Sequence, residues 1–240
     1  MTSRKTAIVT GASQGIGAAI TKLLLGSGYN VVATSRHITT ANALPPSDRL
    51  ALIEGDISHE STATEVVRTA LQSFGSVDVL VNNAGIFISK PFTEYTRTDF
   101  GVLSSINAEG FLHTTQTVIR EMLKQDRGGS VVTITASLAE QPLSSVPASY
   151  AMLFKGGLEA ITRSLAIEYA PAHIRFNAVA PGIVDTPMHA QAPKDFLRSL
   201  SPMGTIADAD EIASAVLFLC SAPSITGEVL RVDGGTHAGR

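Results

Sequence analysis

Three glycines, Gly11, Gly15 and Gly17, separate an apolar run, Thr6–Thr10, from a segment of helical periodicity that begins at Ile16. Glycines placed between a strand and a helix predict a phosphate-binding turn. Gly11 permits the tight exit from the strand, Gly15 lets backbone approach a pyrophosphate, and Gly17 lets the helix pack on the sheet. The helix N-terminus then offers free N–H groups and a partial positive charge to the anion. The turn reads Thr10-Gly11-Ala12-Ser13-Gln14-Gly15-Ile16-Gly17, so Ser13, Gln14 and Ile16 are expected to line the same ligand.

A second chemical signal lies at the end of the next predicted strand. An acid there would bond the ribose hydroxyls of NAD and repel a 2′-phosphate. The chain has Ser35-Arg36-His37 instead. Ser35 can donate a hydrogen bond, and Arg36 can make a charge-assisted contact with phosphate while stacking on adenine. This favours NADP(H) as cofactor, with NAD(H) the lesser alternative.

Other reactive residue types form no such pattern. Cys220, the single cysteine, falls in the apolar helical run after Ile212 and reads as a small buried side chain. No His, Cys or carboxylate cluster has metal-ligand spacing. His113 reads as structural or interfacial, His173 as exposed, and His189 as a loop residue near the substrate. The segment Met188–Met203 carries Phe196, Leu197 and Leu200 and reads as a short lid, about residues 187–204, over a small, largely apolar substrate.

Positioning such a turn requires an alternating α/β frame. Predicted strands are Thr6–Thr10, Asn30–Thr34, Leu50–Glu54, Val77–Val81, Ser130–Thr135, Ile174–Val179 and Val229–Val232, nearly all unbroken apolar runs as in sheets covered on both faces. Helical stretches are Ile16–Gly26, Glu60–Phe74, about Asp99–Gln125, about Pro147–Tyr169 and Asp208–Ser221. The alternation predicts one α/β domain, residues 1–240, a Rossmann-like doubly wound parallel sheet of about seven strands. With 44% apolar and 16% charged residues, the chain can bury a sizeable core. Its net charge of −3, with both signs interspersed, argues against nucleic-acid or anionic-membrane binding driven by bulk charge. Met1–Lys5 has no signal-peptide pattern, and no apolar run approaches the roughly 20 residues of a membrane span. These features predict a soluble, cytoplasmic protein.

The G-x-x-x-G-x-G spacing of the turn resembles that of the short-chain dehydrogenase/reductase family, and the likeness covers nearly the whole chain. Asp56, in Gly55-Asp56-Ile57, matches the acid that meets the adenine amine. Asn82-Asn83-Ala84-Gly85 matches the motif after the fourth strand that lines the cofactor. Pro181-Gly182-Ile183, with Thr186 following, resembles the loop that holds the nicotinamide carboxamide. Gly227 and Val232-Asp233-Gly234-Gly235 match the family's last strand. Gln14 stands where many NADP-using members carry a basic residue. The resemblance implies hydride transfer between NADP(H) and a carbonyl, alcohol or imine substrate, and a homotetramer packed through its long helices and last strand.

It also implies a catalytic Asn, Ser, Tyr and Lys, for which the candidates are Asn107, Ser137, Tyr150 and Lys155. Tyrosine would be the general acid or base, serine would hold the substrate oxygen, asparagine would support a water chain, and lysine would grip the ribose and favour the phenolate. Asn107 and Lys155 have clear family contexts. In the family, however, the tyrosine precedes the lysine by four residues, so that both share a helix face. Here Tyr150 precedes Lys155 by five, which leaves them about 140° apart, and Ala151 holds the four-residue position. Ser137 likewise lies one residue later than usual after Ile134, with Ala136 in its place, although its spacing to Tyr150 is the usual one. A π-bulge could return Tyr150 to the site. Alternatively the extra residue lies in the loop Leu138–Val146, and alanines replace both the serine and the tyrosine. An NADP-binding sensor or scaffold without turnover is therefore the alternative to an enzyme.

Overall fold

The computed structural model describes residues 4–239; Met1-Thr2-Ser3, part of the segment read for a signal peptide, lies outside the described residues. Seven strands form one parallel sheet: β1 (Thr6–Thr10), β2 (Asn30–Ser35), β3 (Leu50–Glu54), β4 (Val79–Asn82), β5 (Gly129–Ile134), β6 (Ile174–Pro181) and β7 (Val229–Val232). Their order is β3-β2-β1-β4-β5-β6-β7. The chain therefore reverses direction across the sheet between β1 and β4, and the carboxyl ends of those strands border a crevice suited to a ligand.

Alternation along each strand decides which helix covers which side chain. Ala7, Val9, Val31, Val79, Val81 and Val132 face helices α1 (Gly15–Gly26) and α7 (Ala209–Ser221), packing on Ile20, Leu24, Ile212, Val216 and Leu219. Ile8, Val32, Leu80, Val131 and Phe176 face the opposite layer. There they meet α2 (Glu60–Phe74) through Val66 and Ala70, α4 (Gly110–Gln125) through Val118 and Met122, and α5 (Ser149–Glu168) through Ala166. Full burial of each such side chain contributes about 1.5–3 kcal/mol, which is why both faces of the sheet are apolar.

Differences from the expected elements have local causes. Val77 is not in a strand, because the Gln125 side chain donates to its carbonyl and accepts from its N–H, occupying both backbone groups. The long helix expected over Asp99–Gln125 is divided. α3 (Arg97–Ser104) starts earlier, at a capping box in which Thr96 and Asp99 satisfy each other's backbone N–H. A single π-helical turn, Ser105–Glu109, then leads into α4. The lid segment, read without secondary structure, contains a further short helix, α6 (Lys194–Ser199).

Candidate active site

The glycine turn connects β1 to α1 as expected. Gly11 and Gly15 adopt positive φ, +66° and +52°, where side chains other than glycine are strained. Gly17 is required for a different reason: a Cβ there would lie 2.3 Å from the Gly11 carbonyl oxygen and 2.5 Å from Asn83 Nδ2. Gln14 precedes the helix in extended conformation and its side chain makes no capping bond, so the first N–H groups of α1 are left uncapped by it. Such a cradle fits a pyrophosphate.

Thr10 and Asn83 weld the turn to the segment after β4. Asn83 Nδ2 donates to the Thr10 and Gly11 carbonyls at 2.9 and 3.1 Å. In return, Thr10 Oγ1 accepts from the backbone N–H of Asn83 and of Ala84, both at 3.1 Å. The loop after β6 closes the other side, with Thr186 Cγ2 3.2 Å from the point a Gly15 Cβ would occupy. Gly182 packs so tightly on Asp233 that a Cβ would lie 2.8 Å from its Cα. These contacts set Gly11 against Ala84 and Gly15 against Thr186, while Gly182 is held on Asp233.

At its far end, Asp56 Oδ1 accepts from Ser58 N at 2.9 Å and Ser58 Oγ at 2.8 Å. Burial opposes ionisation of Asp56, but the Ser58 bonds and the nearby positive charge of Arg36 outweigh it and hold the carboxyl below its usual range. Arg36 and Asp56 thus share one electrostatic neighbourhood. Ile57, buried beside them, fills the space above Gly110. Ser35 Oγ accepts from the His37 N–H at 3.4 Å.

The π-helical turn surrounds Asn107 and commits its amide to the loop after β4. Asn107 Oδ1 accepts from Ile86 N at 3.0 Å, and Nδ2 donates to Ile86 O at 3.1 Å. Lys155, on α5, donates from Nζ to the Ile134 carbonyl at 2.7 Å. Gly85 admits both groups: a Cβ there would stand 2.9 Å from Asn107 Oδ1 and 3.2 Å from Lys155 Nζ. Asn107, Lys155, Ile134, Ala84 and Thr10 border a cavity of about 10 Å³, the lower limit for one water molecule. Burial lowers the Lys155 pKa from the ordinary lysine value to about 8.

The structure does not bring Tyr150 to this group. α5 is a regular α-helix throughout; the π-turn lies at Asn107 instead. The one-residue offset therefore persists. The Tyr150 ring stacks on Tyr95, with centroids 4.3 Å apart, and takes the edges of Phe92 and Phe100 at 5.7 Å each. Ala151, four residues before Lys155, is fully buried and packs with Leu103. Ser137 opens a 3-10 turn (Ser137–Ala139) directly after β5 and is buried, without a side-chain hydrogen bond to Lys155 or Asn107 among the described residues. Ala136, half-buried, precedes it.

The aromatic group around Tyr150 was not foreseen, since Phe92, Tyr95 and Phe100 lie far from it in sequence. Nor was Glu159, one turn beyond Lys155. Glu159 is buried and accepts from Thr135 Oγ1 at 3.0 Å, and burial raises its pKa despite that bond. In the lid, Leu197 and Leu200 point inward while Met188, Phe196 and Met203 are exposed. Desolvation lowers the His189 pKa, with Asp185 opposing. A second cavity of about 300 Å³ lies at the end of β7, bordered by Ile183, Met203, Arg231, Asp233 and His237. Cys220 is buried, as expected, and its thiol is pushed up to about 12. His173 is exposed and His113 half-buried.

Comparison with known proteins agrees with this geometry. A family model described as enoyl-(acyl carrier protein) reductase matches residues 11–237. Carbonyl reductase family member 4 of Xenopus tropicalis is 35% identical over 232 residues, covering 96% of this chain and 97% of its own. Among solved structures, 3-ketoacyl-(acyl-carrier-protein) reductase from Brucella melitensis, complexed with NADH, superposes with TM-score 0.89 at 31% identity, covering 98% and 99% of the two chains. ElxO with NADP bound gives 0.88 at 27% identity, covering 98% and 100%. The fold and the site define a Rossmann-type nicotinamide-dependent oxidoreductase class. Within it, the chain belongs to the short-chain dehydrogenase/reductase family.

Proposed function

We propose that this protein is an NADP(H)-dependent reductase of a small, largely apolar carbonyl compound, or of an imine. The observation that carries the reading is the paired cradle: the Gly11/Gly15/Gly17 turn beside the Asn107–Gly85–Lys155 group, on one crevice edge. When bound, the reduced nicotinamide supplies the hydride. Gly11, Ser13, Gln14, Gly15, Ile16 and Gly17 would hold its pyrophosphate, and Pro181, Gly182, Ile183 and Thr186 the carboxamide side. Asp56 and Ile57 would receive the adenine, with Asn83, Ala84 and Gly85 along the middle.

The choice of NADP rests on Ser35 and Arg36, because a guanidinium at the ribose rewards a 2′-phosphate and no acid opposes it. Relatives bind either form: the Brucella reductase is complexed with NADH and ElxO with NADP. Asn107, Ser137 and Lys155 are the proposed catalytic group, with the lid around residues 187–204 covering substrate. A homotetramer is the proposed assembly. In its favour, Leu112, Leu123, Leu153 and Ile167 stand exposed on the long helices α4 and α5, and one edge of β7 is unpaired among the described residues. Light scattering of the purified protein tests that assembly.

A panel of ketones, aldehydes and imines with NADPH and NADH tests the activity. Turnover with NADPH on small apolar carbonyls is expected. No cofactor oxidation above background, together with tight NADPH binding, would favour the second reading, a nucleotide-binding sensor, which the removal of Tyr150 from the site supports. A cytoplasmic location is the proposed one; among the described residues, no helix is long and apolar enough to cross a membrane.

A further inference from the structure

We propose that in this chain the Lys155 ammonium, not a tyrosine hydroxyl, gives the proton to the substrate oxygen, and that the adjoining water-sized cavity restores it. This rests on the reductase reading above. Tyr150, the tyrosine nearest to Lys155 in sequence, is committed to Tyr95, Phe92 and Phe100. The position that shares a helix face with Lys155 holds Ala151, which has no proton to give.

The other polar side chains bordering the same cavity, Thr10, Asn82, Asn107 and Thr133, are hydroxyls and amides, far weaker acids than an ammonium. Asn107 gives its amide to Ile86 and accepts from it. Thr10 Oγ1 donates to Val81 O and accepts from two backbone N–H groups. Asn82 Nδ2 donates to Thr115. Lys155 Nζ has three N–H bonds and spends one on Ile134; the other two have no partner among the described residues.

The step balances simply. As the carbonyl carbon receives a hydride from reduced nicotinamide, the C=O π pair moves to oxygen and takes a proton from an Nζ–H bond. That leaves an alcohol and a neutral amine. The amine regains a proton from bulk solvent, relayed by a water beside Asn107 at the cavity of about 10 Å³; that water gives one proton to Nζ and takes one from solvent, so no hydroxide is left behind.

Among the described residues, no charged side chain contributes to the Lys155 shift, which burial alone causes. The segments packed on it, Thr133–Ile134 of β5, Asn82–Gly85 and Asn107, are uncharged. On α5 itself, Tyr150 is turned away and Glu159 is bonded to Thr135. Burial alone sets its pKa near 8, close to the working range of a general acid at neutral pH.

The test combines titration of Lys155 with kinetics. In ligand-free protein, lysines are reductively methylated with ¹³C and followed by NMR against pH, with Lys155→Arg assigning the signal. NADPH affinity is measured by fluorescence for wild type, Tyr150→Phe and Lys155→Arg, and kcat/KM against pH for each. The expected result is a Lys155 midpoint near pH 8 and a matching fall of reductive kcat/KM above it. Tyr150→Phe should keep that profile within about threefold. Lys155→Arg, which keeps a cation for the ribose, should lose about 10²–10⁴ in kcat, the range of one acid–base group, a far larger change than its change in NADPH affinity. A Tyr150→Phe loss of a hundredfold or more with NADPH affinity retained overturns the proposal, as does Lys155 titrating above pH 10 in an active enzyme. Absence of turnover in wild type across the carbonyl and imine panel instead overturns the reductase reading, and the proposal with it.

Discussion

Tyr150 and Tyr95 stack with their planes 23° from parallel and their centroids 4.3 Å apart, and Phe92 and Phe100 each meet the Tyr150 ring edge-to-face. Tyr95 in turn donates to the Ile88 carbonyl at 2.7 Å, so the pair ties the segment after β4 to the start of α5. Tyr150→Ala is therefore expected to cost about 2 kcal/mol in urea unfolding, a half-buried share of the usual aromatic truncation. Tyr150→Phe, which keeps the ring, should cost under about 0.5 kcal/mol. Equal losses would mean that the hydroxyl, not the stack, holds Tyr150.

The Gly17 contact makes a sharper demand. A methyl group at Gly17 must displace the Gly11 carbonyl or Asn83, which between them shape the turn proposed to hold the pyrophosphate. Gly17→Ala should weaken NADPH binding at least tenfold and destabilise the fold by about 1–3 kcal/mol. Gly26→Ala, at the far end of the same helix with nothing within 4 Å, is the control and should be neutral or slightly stabilising. Calorimetric titration that finds the two variants alike would remove the cradle argument.

Arg36 is expected to discriminate between cofactors rather than to strengthen binding generally. A charge-assisted bond to the 2′-phosphate is worth about 1.5–3 kcal/mol. Arg36→Ala should accordingly raise the NADPH dissociation constant roughly 10–150-fold and change that for NADH less than threefold. Parallel weakening of both would place Arg36 on the adenine alone.

Lys155 should leave a signature in stability as well as in rate. Folding lowers its pKa from 10.5 to about 8, so between those values the unfolded chain holds the proton and the folded chain does not. Stability must then rise with pH across that window, and the contribution is lost again as pH falls towards 8. Groups common to wild type and Lys155→Met cancel in the difference. Urea unfolding of both ligand-free proteins from pH 7 to 10.5 should show wild type gaining on the variant. A flat difference would mean that Lys155 titrates as an exposed lysine.

What could be read in the sequence was local or periodic. Strand and helix alternation predicted the doubly wound sheet and most element limits, because burial on both faces leaves nearly unbroken apolar runs. The glycine turn was legible for the same reason: positive φ and close backbone approach restrict Gly11, Gly15 and Gly17 wherever the remaining chain goes. Breaks came where a distant group intervened. Gln125 took both backbone bonds of Val77, and a π-turn at Asn107 divided a helix whose apolar pattern ran on unbroken.

The five-residue step from Tyr150 to Lys155 was visible from the start, but its consequence was not. A helix can absorb an extra residue in a π-turn or leave it to a loop, and local propensity does not choose between them. Tertiary packing chose. Phe92, Tyr95 and Phe100, some fifty residues away along the chain, offered Tyr150 an aromatic seat on the side to which a regular α5 turns it. The sequence by itself thus determined the glycine turn and the place of Lys155. Only long-range aromatic contacts, which leave no periodic trace, decided that Tyr150 stands apart from it.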